Sequence, residues 1–316
     1  MINSAYVFPG QGSQFVGMLS DLAERYSLVQ DLFSLVSDKV GYDLWQLTQE
    51  GPESQLNQTE NTQVAMLTGD VAVFKLLEKL GNAQAAVMAG HSLGEYAALV
   101  CSGALELADA AELVAKRGQL MQKHVPLGQG AMAAIVGLTD DQVEFVCKQA
   151  SDAEYQVTPA NYNAIGQIVI AGHSIAVEKA VKLAEELEAR MAKIIPVSVP
   201  CHCPLLVDAA NAFEEYLANA NFKTPKVAVI SNVDLSIYKS PVQIRTMLKE
   251  QLYRPVRWVE TIQLIKNRGI ERIIECGPGK VLSGLVKRID KTLTVTSVND
   301  SASMDQALSQ LVEKSY

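Results

Sequence analysis

The sequence has few cysteines and few histidines for a chain of 316 residues. Its five cysteines are an odd number without the paired spacing of a metal site, and only four histidines are present. In Cys201-His202-Cys203 three side chains follow one another directly, whereas zinc ligands are usually spaced by about two to four residues so that the chain can turn around the ion. We therefore predict reduced thiols in a cytoplasmic setting and no metal site.

Long apolar runs and an excess of basic residues are also missing. No run reaches the roughly 20 apolar residues of a membrane-spanning helix. The first five residues, Met1 to Ala5, lack the basic and apolar segments of a secretory signal. The formal charge of -8 argues against a surface that neutralises the phosphates of nucleic acid. We therefore expect neither a membrane nor a nucleic acid as a partner.

The composition is that of an ordinary globular protein with a substantial core. Hydrophobic residues make up 48% of the sequence and charged residues 20%, and the mean hydropathy is +0.10. The length exceeds that of one average domain, but α/β folds of this size often keep one large core. We expect one core with at most one additional lobe.

Strands and helices alternate in the first and last parts of the chain. The apolar run Ala5 to Phe8 predicts a strand that ends at the loop Pro9-Gly10-Gln11-Gly12-Ser13. Helical periodicity and further short apolar runs follow. The predicted helices are Val16–Tyr26, Leu28–Val40, Asn61–Leu80, Glu95–Cys101, Ala108–Gln122, Leu205–Ala220, Ser240–Gln251 and Trp258–Arg268, and the predicted strands include Ala85–Ala89, Val227–Ser231 and Arg272–Cys276.

The order of elements changes between residues 126 and 199. Strand, helix, strand, strand, helix and strand are predicted at Ala131–Leu138, Asp140–Ala150, Tyr155–Ala160, Gln167–Ala171, Ser174–Ala189 and Ala192–Val199, with Thr139 capping the first helix. This β-α-β-β-α-β order is typical of a ferredoxin-like lobe. We predict an α/β core of residues 1–125 and 200–316 and an inserted ferredoxin-like subdomain of residues 126–199 that walls a cleft.

The segment Gly90-His91-Ser92-Leu93-Gly94 matches the G-x-S-x-G pattern of a nucleophile elbow. Glycines on both sides allow a tight strand-to-helix turn that exposes the serine hydroxyl, as in an α/β-hydrolase-like core with a parallel sheet. The N–H of Leu93 would then face the negative charge of a tetrahedral intermediate. An alternative is that Ser92 only caps the following helix.

A nucleophilic serine needs a base, and the four histidines are the candidates. His91 precedes Ser92 on the turn and is expected to point away, His124 ends a helix, and His173 lies at a turn out of the small lobe. His202 follows a strand and Pro200, where the lobe rejoins the core. The pattern favours His202 as base but leaves a structural histidine open.

Six motifs in order along the chain match a known family. The matching segments are Phe8-Pro9-Gly10-Gln11-Gly12, Gly90-His91-Ser92-Leu93-Gly94-Glu95, Arg117 in a following helix, Asn161 and Asn163 before Gln167-Ile168-Val169-Ile170, Val199-Pro200-Cys201-His202-Cys203, and Gly277-Pro278-Gly279. Over nearly its whole length the sequence resembles the malonyl-CoA:acyl carrier protein transacylases and the related acyltransferase domains of polyketide synthases.

The resemblance implies a role for particular residues around Ser92. It makes Ser92 the nucleophile and His202 the base, without an acidic third member. A main-chain carbonyl, here at about Gln251, would orient the histidine and fix its tautomer. The N–H groups of Gln11 and Leu93 would form the oxyanion hole.

The resemblance also assigns substrate-binding residues. Arg117 would grip the free carboxylate of a malonyl group, because the planar guanidinium makes two parallel charge-assisted bonds that lysine cannot reproduce. Asn163 is the second implied substrate-binding residue. A solvated helix arginine is the alternative for Arg117. An acyl group without a carboxylate would leave the guanidinium unpaired, which would explain selectivity.

The implied reaction is acyl transfer in two steps through a Ser92 ester, from malonyl-CoA to the phosphopantetheine thiol of holo acyl carrier protein. It needs no cofactor of the protein itself. Carrier proteins of this kind are acidic, so the basic residues Lys193, Lys280, Lys287 and Arg288 are candidates for the docking surface. A serine thioesterase or hydrolase and a non-catalytic binding subunit are the two rival functions.

Some positions depart from the family pattern. Cys201 and Cys203 flank the histidine where an aromatic or small residue and a serine are frequent, and Ile165 replaces a common proline. These changes leave the preference for malonyl over methylmalonyl open, and both cysteines are interpreted as pocket packing. The Gly277-Pro278-Gly279 turn is either purely conformational or adjacent to the pantetheine path.

Overall fold

Two β-sheets organise the computed structural model, which describes residues 4–81 and 83–312. The strands are β1 (Ser4–Phe8), β2 (Val87–Gly90), β3 (Gly130–Val136), β4 (Val157–Ala164), β5 (Gln167–His173), β6 (Met191–Ile195), β7 (Ala228–Ile230), β8 (Arg272–Cys276) and β9 (Thr294–Val298).

Helices surround both sheets. They are α1 (Ser20–Arg25), α2 (Ser27–Val40), α3 (Leu44–Glu50), α4 (Glu53–Leu56), α5 (Thr59–Gly81), α6 (Gly94–Cys101), α7 (Leu107–His124), α8 (Asp140–Ala150), α9 (Ser174–Glu186), α10 (Val207–Asn219), α11 (Pro241–Gln251), α12 (Trp258–Asn267), α13 (Val281–Ile289) and α14 (Ser301–Val312). Among the described residues no helix is both long enough and apolar enough to cross a bilayer.

The five-stranded sheet is parallel throughout, in the order β7-β2-β1-β8-β9. Strands β1 and β2 are buried, as expected for a parallel sheet covered by helices on both faces. Phe8 at the end of β1 is paired in register with Gly90 at the end of β2. The loops that follow these two strands therefore start side by side at the carboxyl edge of the sheet, where ligands of open α/β sheets bind.

The four-stranded sheet is antiparallel, in the order β4-β5-β3-β6, and helices α8 and α9 pack together against it. With its β-α-β-β-α-β chain order this is the predicted ferredoxin-like arrangement, and the predicted fold class is confirmed. A capping box at Thr139 begins α8 as expected. The boundaries drawn at residues 126 and 199 stay a prediction, and residues 1–3, 82 and 313–316 of the predicted core lie outside the described part.

Main-chain hydrogen bonds join the antiparallel sheet to the core. The N–H of Tyr162 donates to the carbonyl of Val256, and the N–H of Val256 donates to the carbonyl of Ala160, at 3.0 and 2.9 Å. Strand β4 thus continues its pairing into the segment between α11 and α12. This connection holds β4 across the cleft from the carboxyl edge of the parallel sheet.

Several predicted elements differ in extent from those in the structure. The predicted helix Val16–Tyr26 is reduced to α1, because Leu19 adopts a left-handed conformation with φ 62° just before it. The predicted strand Ala192–Val199 ends at Ile195. Helices α3, α4, α13 and α14 and strand β9 were not predicted. Strand β9 lies at the edge of the sheet. Its sequence, TVTSV, has few apolar residues and therefore gives little signal for a buried strand.

Candidate active site

Ser92 lies on a strained turn between β2 and α6. Its φ of 52° is in the left-handed region, which side-chain-bearing residues rarely adopt. Only glycine fits on either side of it. A Cβ atom at Gly90 would lie 1.8 Å from the main-chain carbon of Gly94, and one at Gly94 would lie 2.0 Å from the carbonyl oxygen of Phe8. The glycines of the motif therefore allow the strand, turn and helix to pack in contact, and the turn is a nucleophile elbow in geometry.

His202 is the histidine that contacts Ser92. Its Nε2 atom lies 2.7 Å from Ser92 Oγ, and its Nδ1 atom lies 2.7 Å from the main-chain oxygen of Gln251. A carbonyl can only accept a hydrogen bond, so Nδ1 carries the hydrogen and Nε2 is free to accept the serine proton. The ring is 2% exposed, and burial, assisted by the charge of Arg117, lowers the pKa of His202 to about 3. The imidazole is therefore a neutral base at neutral pH.

The loop after β1 lies against the Ser92 turn. A Cβ atom at Gly10 would lie 2.6 Å from the carbonyl oxygen of His91 and 3.8 Å from the nitrogen of Leu93. Gln11 follows directly, and both Gln11 and Leu93 line the same cavity as Ser92. The main-chain N–H groups proposed for the oxyanion hole are thus on adjacent segments, and their role stays a prediction.

Arg117 is almost completely buried and is held by neutral partners. Its NH1 donates to Gln63 Oε1 at 2.9 Å and its NH2 to Gln251 Oε1 at 3.1 Å, while its guanidinium lies 5.7 Å from the ring centre of Tyr96. The side chain is 2% exposed, and Nε has no partner in the described structure. A guanidinium has five N–H donors, so three of them have no hydrogen-bond partner among the described residues. The alternative of a solvated helix arginine is excluded by this burial.

Asn163 and His91 bond to each other across the cleft. His91 Nε2 lies 2.7 Å from Asn163 Oδ1, and the His91 ring packs edge-on against Trp258 with centroids 5.4 Å apart. Burial lowers the pKa of His91. His91 does not bond Ser92, but it lines the cavity, so the expectation that it points away was only half right. Asn163 also lines the cavity, and its contact with substrate stays a prediction.

The two remaining histidines lie elsewhere. His124 is the last residue of α7, as predicted. His173 was expected at a turn out of the small lobe, but it ends β5 inside the antiparallel sheet and precedes α9. Its Nδ1 atom lies 3.0 Å from the nitrogen of Gln156. Neither side chain is among the described residues that line the cavity.

Three buried polar residues at the site were not predicted from the sequence. Asn232 accepts a hydrogen bond from the Ser92 nitrogen at 2.7 Å and donates to the Gly90 carbonyl at 2.6 Å, so it anchors the start and the centre of the turn. Gln63 contacts Arg117, and Glu95 contacts Gln251. Asn232 directly follows the predicted strand Val227–Ser231, and a polar residue at the carboxyl end of a parallel strand is a signal that could have identified it. Glu95 ends the matched motif Gly90-His91-Ser92-Leu93-Gly94-Glu95 but had no predicted role, and no comparable signal marks Gln63.

The cavity in front of Ser92 has a volume of about 230 Å³. One wall is the antiparallel sheet and the other is helix α13 with the loop after β1. Beside the site residues described above, the lining has an apolar set: Met132, Val169 and Ile195 from the antiparallel sheet, Val197 and Val199 from the segment after β6, and Val281, Leu282 and Leu285 from α13. The predicted cleft between lobe and core is therefore present and is suited to an apolar chain with a polar end.

The two cysteines beside His202 differ in their surroundings. Cys201 lines the cavity, whereas Cys203 is fully buried and its thiol lies 3.4 Å from the carbonyl oxygen of Pro200. Burial raises the pKa of both thiols. Packing is the role that fits both side chains. Ile165 is exposed at the turn between β4 and β5, away from the cavity lining.

The basic candidates lie on two elements that border the cavity. Lys193 is on β6, Lys280 precedes α13, and Lys287 and Arg288 are in its last turn, where Arg288 donates to Gln167. The Gly277-Pro278-Gly279 turn lies outside the cavity lining and packs on α5, because a Cβ atom at Gly277 would lie 2.0 Å from Asp70 Oδ1. Its proximity to a pantetheine chain and the docking role of the basic residues stay predictions.

Comparisons with known proteins agree over nearly the whole chain. The model of the family described as the acyl transferase domain matches residues 5–306. The malonyl CoA-acyl carrier protein transacylase of Escherichia coli (strain K12) is 47% identical over 308 residues, which cover 98% of this chain and 99% of that protein. The protein of the same name from Bacillus subtilis (strain 168) is 40% identical over 314 residues, 99% of each chain.

Solved structures give the same result. The malonyl CoA-acyl carrier protein transacylase of Coxiella burnetii superimposes with a TM-score of 0.96 at 48% identity and 98% coverage of both chains. A malonyl-transacylase solved in complex with its type II PKS acyl-carrier protein has a TM-score of 0.96 at 45% identity, covering 98% of this chain and 99% of that one. The resemblance inferred from the six motifs is confirmed.

Proposed function

The chain belongs to the acyl transferase domain family, and on that premise we propose that it transfers a malonyl group from malonyl-CoA to the phosphopantetheine thiol of acyl carrier protein. The observation that carries this proposal is the joint presence, in one cavity, of the Ser92 and His202 pair and the buried Arg117 guanidinium. The pair supplies thioester chemistry, and the guanidinium supplies selectivity for an acyl group that ends in a carboxylate.

The first half-reaction forms the acyl-enzyme. His202 Nε2 accepts the proton of Ser92 Oγ while that oxygen attacks the thioester carbonyl carbon. The N–H groups of Leu93 and Gln11 stabilise the negative oxygen of the tetrahedral intermediate. The carbon–sulfur bond then breaks, and the CoA sulfur leaves with the proton from His202.

The second half-reaction reverses these steps with a different thiol. The pantetheine thiol of the carrier protein gives its proton to His202 and attacks the Ser92 ester, and the serine oxygen regains a proton as the ester bond breaks. Over the two half-reactions one thioester bond breaks and one thioester bond forms, and the serine ester that forms in the first is broken in the second. We infer that the reaction uses no resident cofactor, since the phosphopantetheine arrives on the acceptor.

Acyl carrier protein is the partner that the comparisons support, because the relatives are named for it and one was solved with a carrier protein bound. Malonyl-CoA as donor, the holo form of the carrier protein, and docking through Lys193, Lys280, Lys287 and Arg288 are the finer parts of the proposal. A cytoplasmic location, in the compartment of fatty-acid synthesis, is proposed with them.

The rival functions are less consistent with the site. A hydrolase triad has a carboxylate where His202 meets the carbonyl of Gln251, and no relative described above is named a hydrolase. A non-catalytic binding subunit would not need the 2.7 Å contact between Ser92 and His202. We therefore propose the transferase and neither alternative.

Intact-mass spectrometry after brief mixing with malonyl-CoA tests the proposal. We expect a malonyl adduct on the wild-type protein, none on Ser92→Ala, and transfer of the adduct to holo carrier protein. Ser102→Ala, which changes a buried serine outside the cavity, is the matched control. An adduct that decays to malonate at the same rate with and without carrier protein would instead identify a hydrolase, and the absence of any adduct would identify a binding subunit.

A further inference from the structure

One amide links the two buried charged groups of the site. Gln251 Oε1 accepts from Arg117 NH2 at 3.1 Å, and Gln251 Nε2 donates to Glu95 Oε2 at 2.5 Å and to the Ser92 carbonyl at 3.0 Å. The main-chain oxygen of the same residue contacts His202. Gln251 therefore connects the guanidinium, the nucleophile turn and the base to a single carboxyl group.

Glu95 is built into the site as an acceptor. Its side chain is fully buried, Tyr238 OH donates to Oε1 at 2.5 Å, and the Asn232 nitrogen and Gln251 Nε2 donate to Oε2. An amide N–H cannot accept a hydrogen bond, so two of the three partners favour the ionised carboxylate.

Few titratable or charged groups face Glu95. They are Arg117 from α7, Tyr238 from the segment after β7, and the neighbouring Tyr96 on α6. Arg117 is the only cation among them. In the empty site one guanidinium and one carboxylate compensate each other through the Gln251 amide, and no further counter-charge is needed.

A malonyl group changes this balance. Its carboxylate adds a second negative charge beside the same guanidinium, in a site without another cation among the described residues that face it. A buried charge that lacks a partner is strongly unfavourable, and an acid relieves it by binding a proton. Glu95 is the acid placed one amide away from Arg117.

We propose that Glu95 is a positioning residue for the acyl carboxylate, which holds Arg117 through Gln251 and takes up a proton when a carboxylate-bearing acyl group pairs with that arginine. The proposal rests on the proposed function, because it needs an acyl group that carries a carboxylate. An acetyl group brings no charge and leaves the proton on Glu95 unchanged.

The acidity of Glu95 fits this role. Burial raises the pKa of Glu95 to about 7, while hydrogen bonds from Tyr238, Gln251 and Asn232 and the charge of Arg117 oppose the rise. Binding of a second carboxylate raises the pKa further. Below about pH 7 the group is already protonated in both states, and above it the malonyl enzyme binds one more proton than the free enzyme. The equilibrium constant for forming the malonyl enzyme from the free enzyme therefore falls by up to about tenfold per pH unit above neutrality.

Other groups of the site titrate away from this range. Burial lowers the pKa of His202 to about 3 and lowers that of His91 below its ordinary value, and it raises the pKa values of Tyr96, Tyr238 and Cys201. A proton taken up near neutrality is therefore assigned to Glu95.

The test is the equilibrium of acyl-enzyme formation with malonyl-CoA and with acetyl-CoA, measured by intact-mass spectrometry from about pH 6 to 9. Both reactions release CoA, so the ratio of the two equilibrium constants cancels ionisation of the CoA thiol. We expect the malonyl-to-acetyl ratio to be flat below about pH 7 and to fall above it in the wild type. Glu95→Gln should make the ratio independent of pH. Tyr238→Phe removes a donor to the carboxylate, so it should move the break to higher pH.

Each result decides the proposal. A flat ratio in the wild type, or the same slope in Glu95→Gln, would overturn it. A Tyr238→Phe break at unchanged pH would also contradict it. If Glu95→Gln does not fold, the shift in Tyr238→Phe still decides the assignment. A complete lack of malonyl adduct would overturn the proposed transferase and this inference with it, whereas an adduct without proton linkage would overturn the inference alone.

Discussion

The Nδ1 atom of His202 lies 2.7 Å from the main-chain oxygen of Gln251, at the position where a serine hydrolase triad has a carboxylate. A neutral carbonyl fixes the tautomer of the ring but gives less stabilisation to a charged imidazolium than an anion would. The base is therefore held neutral in the resting enzyme. This suits a thiol exchange in which the proton is passed on within each half-reaction.

The burial of His202 predicts a pH dependence of stability. Its folded pKa of about 3 lies below the ordinary 6.5, so between these values the unfolded chain binds a proton that the folded chain does not. Stability is therefore lost as pH falls through that window. We expect the free energy of unfolding of His202→Gln, from urea titrations, to decline less steeply than that of the wild type. His124→Gln, which replaces a histidine at the end of α7 outside the cavity, is measured alongside as the matched variant. Parallel curves for His202→Gln and the wild type would contradict this account.

Replacement of Arg117 should change the selectivity between acyl donors. Arg117→Ala removes charge-assisted bonds to the malonyl carboxylate, so we expect kcat/KM for malonyl-CoA to fall by about 100-fold or more, with acetyl-CoA affected far less. The neighbouring Lys116 bonds Gln119 at the surface, and Lys116→Ala should retain both activities. An equal loss with the two donors would show that Arg117 does not read the carboxylate.

Asn232 should support both stability and activity. It is fully buried and bonds the main chain of Gly90 and Ser92, so Asn232→Ala leaves buried groups unpaired at a cost of about 1–3 kcal/mol each. We expect a lower unfolding free energy and slower acylation by malonyl-CoA. Asn221→Ala, at an exposed position, is the control for both measurements. Wild-type acylation in Asn232→Ala would show that the turn does not need this anchor.

The elbow glycines should not tolerate a side chain. In Gly94→Ala the new Cβ would lie 2.0 Å from the Phe8 carbonyl oxygen, so the turn cannot close without displacing β1. We expect loss of acylation and a marked drop in thermal stability. Gly284→Ala in α13 is the contrast, because nothing lies within 4 Å of its new Cβ and alanine favours a helix by about 0.5–1 kcal/mol. A stable, active Gly94→Ala protein would refute the close-packing argument.

The sequence by itself determined the class of fold and the nucleophile turn. Local patterns suffice for these, because the period of apolar residues sets strand or helix and the glycines around Ser92 permit a conformation that other residues resist. The six motifs also determined the family. Where local signals were weak, as at the edge strand β9 and at the left-handed Leu19, the predicted extents were incomplete or wrong.

Only the tertiary structure decided which side chains meet. His202 was one of four candidate bases in the sequence, and its contact with Ser92 depends on a fold that brings together residues 110 positions apart. The resemblance named Gln251, and the end of a parallel strand marks Asn232, but the network that joins these two residues to Glu95 connects side chains from separate parts of the chain and follows only from the packed fold. Burial, which sets the pKa values of His202 and Glu95, is likewise a property of the packed whole and of no single segment.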